Sequence, residues 1–146
     1  MGHGITRLDR MLAGEQLRAP CGEFLELPVP DGYETGRTWY DWEIDRRLLN
    51  SRGFLFGGHI AALADDMACY TALTVLPDGS SAVTSDLRVS YFRPVHPDDG
   101  TLHMEGRVVN QSRSNCHVEC ELTRKSDGKL IAKASAIVTP GAPPTA

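Results

Sequence analysis

The stretch 50-NSRGFLFGGHIAALADDMACY-70 decides the fold. It opens as a loop, with an asparagine, a glycine three residues on and then a glycine pair. From about residue 57 to 75 helix formers follow without a proline, until Pro77-Asp78-Gly79 ends the run. At about 100° per residue, Ile60, Leu63, Ala64, Met67, Tyr70 and Thr71 fall on one face. Ala61, Ala62, Ala68 and Ala72 put small residues on other sides, the pattern of a helix packed closely inside a wrapping sheet. Asp65 and Asp66 lie off that stripe, about 100° apart. Asp65 stands beside Ala61, Ala68 and Ala72, and Asp66 nearer Ala62 and Leu73.

Strand patterns surround this helix. Before it, 38-TWYDWEI-44 alternates, with Tyr40, Trp42 and Ile44 on one side. After it come 82-AVTSDLRVSYF-92, with Val83, Leu87, Val89 and Tyr91 on one face, 101-TLHMEGRVVN-110 and 115-NCHVECELTRK-125. Ser126-Asp127-Gly128 is a hairpin turn into 129-KLIAKASAIV-138. Upstream, the helical spacing of Ile5, Leu8, Met11 and Leu12 predicts a leader helix over residues 5–16, stopped at Pro20-Cys21-Gly22. EFLELPV (23–29) reads as a strand and DGYETG (31–36) as a turn. The tail PGAPPTA reads as flexible. The expectation is α+β: one domain over residues 1–146, with an antiparallel sheet against one central helix, a leader over 1–20 and a tail over 140–146.

A chain of 146 residues with 41% hydrophobic content is long enough for a real core. Its charge of −4 gives no general footprint for nucleic acid. No apolar run reaches the roughly 20 residues that span a bilayer. The N-terminus is charged where a signal peptide is apolar, so no membrane role and a cytoplasmic location are expected. Four cysteines without a CxxC pair read as buried free thiols, and no Cys/His spacing supports a zinc site.

A helix N-terminus presents unpaired N–H groups and a partial positive charge. Gly57 and Gly58 there either form a plain loop-to-helix turn or bring backbone amides close to a ligand, polarising a carbonyl or holding an anion. Each aspartate, alone, reads equally as a solvated helix carboxylate. Taken together, Asn50, Gly53, Gly57-Gly58, Asp65 and 84-TSDLRVSYFRP-94 resemble the hotdog-fold acyl-CoA thioesterases, in the branch of the phenylacetyl-CoA and 4-hydroxybenzoyl-CoA enzymes. That family's pattern is roughly N-x-x-G-x-x-H-G-G, an acid seven residues after the second glycine, then T/S-x-D-L-x-V-x-Y-x-R-P.

The resemblance implies a hotdog fold and hydrolysis of acyl-CoA thioesters without a cofactor or metal. It places Asp65 as base or nucleophile, the Gly57 amide as oxyanion donor and Asn50 as the group that helps place water or the acid. Gly58 and Thr84 would face the substrate, Thr84 often from a second subunit, and Arg113 and Ser114 would contact coenzyme A phosphates. A homodimer or dimer of dimers is implied as well. Phe56 departs from the pattern: it replaces the histidine before the glycine pair, cannot hydrogen-bond, and either shapes the acyl pocket or weakens the site. His59 would compensate only by turning toward the cleft. The alternative is a noncatalytic hotdog protein that binds acyl-CoA. A hotdog dehydratase lacks its histidine-aspartate pairing on this helix.

Overall fold

The computed structural model describes residues 5–15 and 18–141. Helices α1 (Ile5–Leu12) and α2 (Pro20–Phe24) lead into strands β1 (Gly32–Glu34) and β2 (Arg37–Glu43). Helix α3 (Gly57–Leu73) follows, then β3 (Ser81–Tyr91), β4 (Thr101–Gln111), β5 (Cys116–Arg124) and β6 (Leu130–Gly141). The strands form one antiparallel sheet in the order β1-β2-β4-β5-β6-β3, leaving β1 and β3 at the edges.

This is the expected α+β hotdog architecture. Helix α3 touches β2, β3, β4, β5 and β6. Every residue of the predicted stripe, from Ile60 to Thr71, is buried. So are Ala68 and Ala72: small side chains let the curved sheet close around the helix. The inner sheet face supplies Tyr40, Leu102, Met104, Val118, Cys120, Leu122, Ala134 and Val138. The closest approach is at Gly106 in β4, where a Cβ would overlap the Thr71 hydroxyl and lie 3.1 Å from Met67 Cγ. Thr38 Oγ1, fully buried opposite Gly106 on β2, contacts Met67 Sδ at 2.8 Å and hydrogen-bonds Thr71.

The outer sheet face is charged and paired. Arg37 forks onto Glu105 at 2.8 and 3.0 Å, and Asp41 accepts from Lys125 and faces His103. The guanidinium of Arg37 holds the Glu105 carboxyl below its usual range, and Lys125 does the same for Asp41.

Several expectations are corrected. Residues 23–29 form no strand: Pro20 opens α2, Glu26 takes φ +51° as the chain leaves it, and β1 falls inside the segment read as a turn. The leader helix ends at Leu12, not residue 16. Val83 is 61% exposed instead of sharing a face with Leu87 and Val89. The register shifts between Thr84 and Asp86, and this bulge at Ser85 turns Ala82 and Thr84 inward ahead of it. Pro140 and Gly141, assigned to the tail, belong to β6. The β5 ladder ends at Val138, so Pro140 sits where β6 has β3 alone as a neighbour. The rest of the expected tail, residues 142–146, lies outside the described residues, as do 1–4, 16 and 17 of the leader. Cys69, Cys116 and Cys120 are wholly or partly buried free thiols, but Cys21 is exposed. No helix among the described residues is long and apolar enough to cross a membrane.

Candidate active site

The loop before α3 explains why an asparagine and a glycine stand three residues apart. Asn50 Oδ1 accepts from the N–H groups of Arg52 (2.9 Å) and Phe54 (3.2 Å), while Gly53 takes φ +80° to close the turn. The Asn50 side-chain oxygen is thereby committed to its own loop, and the amide NH₂ remains for other partners. The Phe56 carbonyl receives the first helical bonds, from His59 N and Ile60 N. The N–H groups of Gly57 and Gly58 enter no backbone hydrogen bond among the described residues. They are two free donors at the positive end of a 17-residue helix.

Two aromatic rings flank them. A Cβ on Gly58 would lie 2.6 Å from Phe56 Cζ, and one on Gly57 would lie 3.3 Å from the Tyr91 ring. The Tyr91 hydroxyl donates to the Gly57 carbonyl at 2.7 Å. A cleft of about 240 Å³ opens here, lined by Asn50, Phe54, Leu55, Gly57, Ile60, Tyr91, Phe92, Arg93, Pro94 and Val95. His59 does not replace the hydrogen-bonding group that Phe56 lacks. It is 4% exposed and packs against Trp42 with ring centroids 5.4 Å apart. Burial pushes its pKa down, and Nε2 is buried without a partner among the described residues. Beyond Trp42 lies a larger cleft of about 400 Å³, but its charged walls are already paired: Arg47 bridges Glu26 and Asp45, and Thr101 donates to Glu43.

The two adjacent acids occupy different surroundings. Asp65 is exposed and makes no hydrogen bond or ion pair among the described residues. One turn further, Cys69 Sγ lies 3.4 Å from Thr84 Oγ1, so Asp65 and Thr84 share a flank of α3 beside β3. Burial raises the Cys69 thiol to about 11, which leaves it protonated and a poor nucleophile at neutral pH. Asp66 is half-buried. Burial raises its pKa to about 6, against the pull of the Tyr70 hydroxyl, Arg7 and Arg18.

That shift carries a prediction. With the folded pKa above the unfolded value of 3.8, the stabilising contribution of Asp66 is fully present below about pH 4 and is lost as pH rises through about 6. Asp66→Asn should therefore unfold at higher urea at pH 7.5, by about 1–3 kcal/mol, with the gain shrinking toward pH 4. Equal gains at both pH values would refute this.

Arg113 and Ser114 are not brought to the glycine pair. Their turn joins β4 to β5, and neighbouring Gln111 donates to Val75 O just beyond the C-terminal end of α3. Gly57 lies at the other end of that helix, about 25 Å away at 1.5 Å per residue. Tyr91 was in the quoted pattern but had no role from sequence alone; only the strand's register brings its hydroxyl to Gly57. Among the described residues no group of three or more His, Cys, Asp or Glu is arranged to hold a metal.

The family model of the thioesterase superfamily matches residues 52–131, from the loop just after Asn50 through α3 and the strands to the start of β6. The chain belongs to the thioesterase superfamily. A Caenorhabditis elegans protein bearing an esterase name is 38% identical over 91 residues, 62% of this chain and 52% of its own. Mouse acyl-coenzyme A thioesterase 13 is 26% identical over 93 residues, 64% of this chain and 65% of its own. The chain thus spans about half to two thirds of the length of these curated relatives. Among solved structures, a phenylacetic acid degradation-related protein from Ralstonia eutropha superposes with TM-score 0.78 at 30% identity, covering 90% of this chain and 98% of that one. A Streptococcus mutans protein bound to acetyl-CoA gives 0.70 at 25% identity, covering 80% and 90%. In this thioesterase-superfamily chain the free glycine amides, the matched loop and Asp65 fall within the residues the family model covers.

Proposed function

We propose that this protein hydrolyses acyl-CoA thioesters to the free acid and coenzyme A. The observation that carries the reading is the unused N–H donors of Gly57 and Gly58 at the head of a buried helix, where Gly57 lines an apolar cleft. Donors so placed stabilise the oxyanion that forms as a nucleophile adds to a thioester carbonyl. Asp65 supplies the base or nucleophile, and the free NH₂ of Asn50 helps hold the water. Phe56, lying over Gly58, forms part of the acyl wall.

The site calls for a second copy of the chain. Strand β3 is a long edge with exposed Val83, Tyr91 and Phe92 around it. A copy paired antiparallel along β3 brings the partner's Arg113 and the partner's Ser114 to the end of the sheet where Gly57 sits, in reach of coenzyme A phosphates. It also brings the partner's Thr84 toward Asp65. This homodimer, alone or as a dimer of dimers, acts in the cytoplasm, with no nucleic acid, membrane or cofactor in the reaction.

The test is thiol release from a panel of short, medium, long and aromatic acyl-CoAs. Arg113→Ala should raise KM for the acyl-CoA by about tenfold at unchanged kcat, because it removes a contact made equally before and during the reaction. An N-acetylcysteamine thioester, which has no phosphates, should not respond. Equal effects on both substrates would remove Arg113 from the phosphate site. One feature favours a second reading: Phe56 has replaced a hydrogen-bonding residue with an apolar ring. Saturable acyl-CoA binding without turnover would select the noncatalytic form.

A further inference from the structure

We propose that Arg93 is a specificity-determining residue of this site: it takes a carboxylate carried by the acyl group, which makes short dicarboxylic acyl thioesters the preferred substrate class. The inference rests on the thioesterase reading and deepens it by naming what the acyl group carries.

Gly57 and Arg93 line the same cleft, and no lining residue brings a carboxylate to it. Arg93 is thus the formal charge on an otherwise neutral wall. It is also tethered. Its Nη1 donates to Leu130 O at 2.7 Å, and its backbone N–H donates to Ile131 O at 3.3 Å. A guanidinium offers five N–H donors in a rigid fork, and those beyond Nη1 have no acceptor among the described residues.

Elsewhere in the chain Arg37, Arg46, Arg47 and Arg124 each pair with a carboxylate. Two of them take Asp98 and Asp99, the acids of the loop that follows Arg93. Arg93 shares its cleft instead with the head of α3, whose dipole is positive there and whose first turn holds no acidic residue. A cation beside a positive helix end is unfavourable until an anion joins the two. The cleft therefore suits an anionic occupant.

Length sets the source of that anion. With the thioester carbonyl at Gly57, the coenzyme A phosphates lie a whole pantetheine arm away, roughly 14 Å when extended like four residues of chain. The cleft holds about 240 Å³. Pockets for drug-sized ligands begin at roughly 300 Å³, so this one matches a short acyl group and not the arm with its phosphates. A carboxylate at the far end of that acyl group meets the arginine fork in a charge-assisted, geometrically specific pair.

The test compares succinyl-CoA with butyryl-CoA and adipyl-CoA with hexanoyl-CoA, each pair equal in carbon count, with uncatalysed hydrolysis subtracted. Both pairs are repeated as N-acetylcysteamine thioesters, which carry no phosphate. The wild type should favour the dicarboxylic ester of at least one pair by about tenfold in kcat/KM, in both thiol forms, and Arg93→Gln should bring that ratio to about one. A ratio is independent of how much of the variant is folded, so a destabilised Arg93→Gln still gives an answer. Wild-type ratios near one in both pairs, or a preference that survives Arg93→Gln, overturn the inference. So does a loss that falls alike on all four coenzyme A esters and spares the N-acetylcysteamine esters, since it assigns Arg93 to the phosphates. A wild type that releases thiol from no acyl-CoA overturns the thioesterase reading itself. An active wild type blind to the second carboxylate sinks this inference alone.

Discussion

Asp65→Ala should lower kcat/KM for acyl-CoA hydrolysis by about 10²–10⁴-fold, the usual worth of a positioned base. Stability should hold or rise slightly. Asp65 is exposed, bonds to nothing among the described residues, and sits mid-helix, where alanine is the better helix former by up to about 0.7 kcal/mol. That separation makes the experiment decisive, because lost activity cannot be ascribed to lost fold. Thiol release gives the rate and thermal unfolding the control. Unchanged hydrolysis would remove Asp65 from its role. Asp66→Asn is the matching control at the adjacent position: it alters stability with pH and should leave turnover near wild type.

Gly106→Val should be the most destabilising of these substitutions, at about 3 kcal/mol by urea denaturation, the upper end for overpacking a core. The first added carbon already overlaps the Thr71 hydroxyl and comes within 3.1 Å of Met67 Cγ. Neither neighbour has room to retreat, since Thr71 and Met67 are fully buried and tied to Thr38 from β2. Relief would require the whole helix to lift from the sheet. Wild-type and variant midpoints that coincide would show that the helix moves more easily than this packing implies.

The sequence was most legible where periodicity and burial agree. The stripe from Ile60 to Thr71 and the four strands after it appear almost as their spacing predicts, because each has one wet face or one dominant apolar face. The errors fall where that link breaks. In residues 23–29 the polar and apolar residues alternate as in a strand, yet the backbone turns at Glu26 and finds no neighbour to pair with. The bulge at Ser85 reverses the face of Val83, and nothing in the alternation marks an extra residue in a strand. Gly106 looks like a flaw in a strand until the helix above it is known. For the candidate site, the loop asparagine and the glycine pair were readable because turn chemistry is local. The distance between Arg113 and Gly57 was not, since it depends on the direction in which each strand runs.

The strand order also fixes when the molecule can close. β3 follows α3 directly in the chain but finds its partner in β6, across two intervening strands. During synthesis, β1, β2 and α3 emerge before most of the sheet, and β3 must wait as an unpaired strand until residues 130–141 have left the ribosome. Closure by such distant pairings is slow, and a waiting edge is prone to aggregation. A nascent chain stalled before Leu130 would hold its helix, glycine pair and aspartate already made, against a sheet still missing the two strands on its far side.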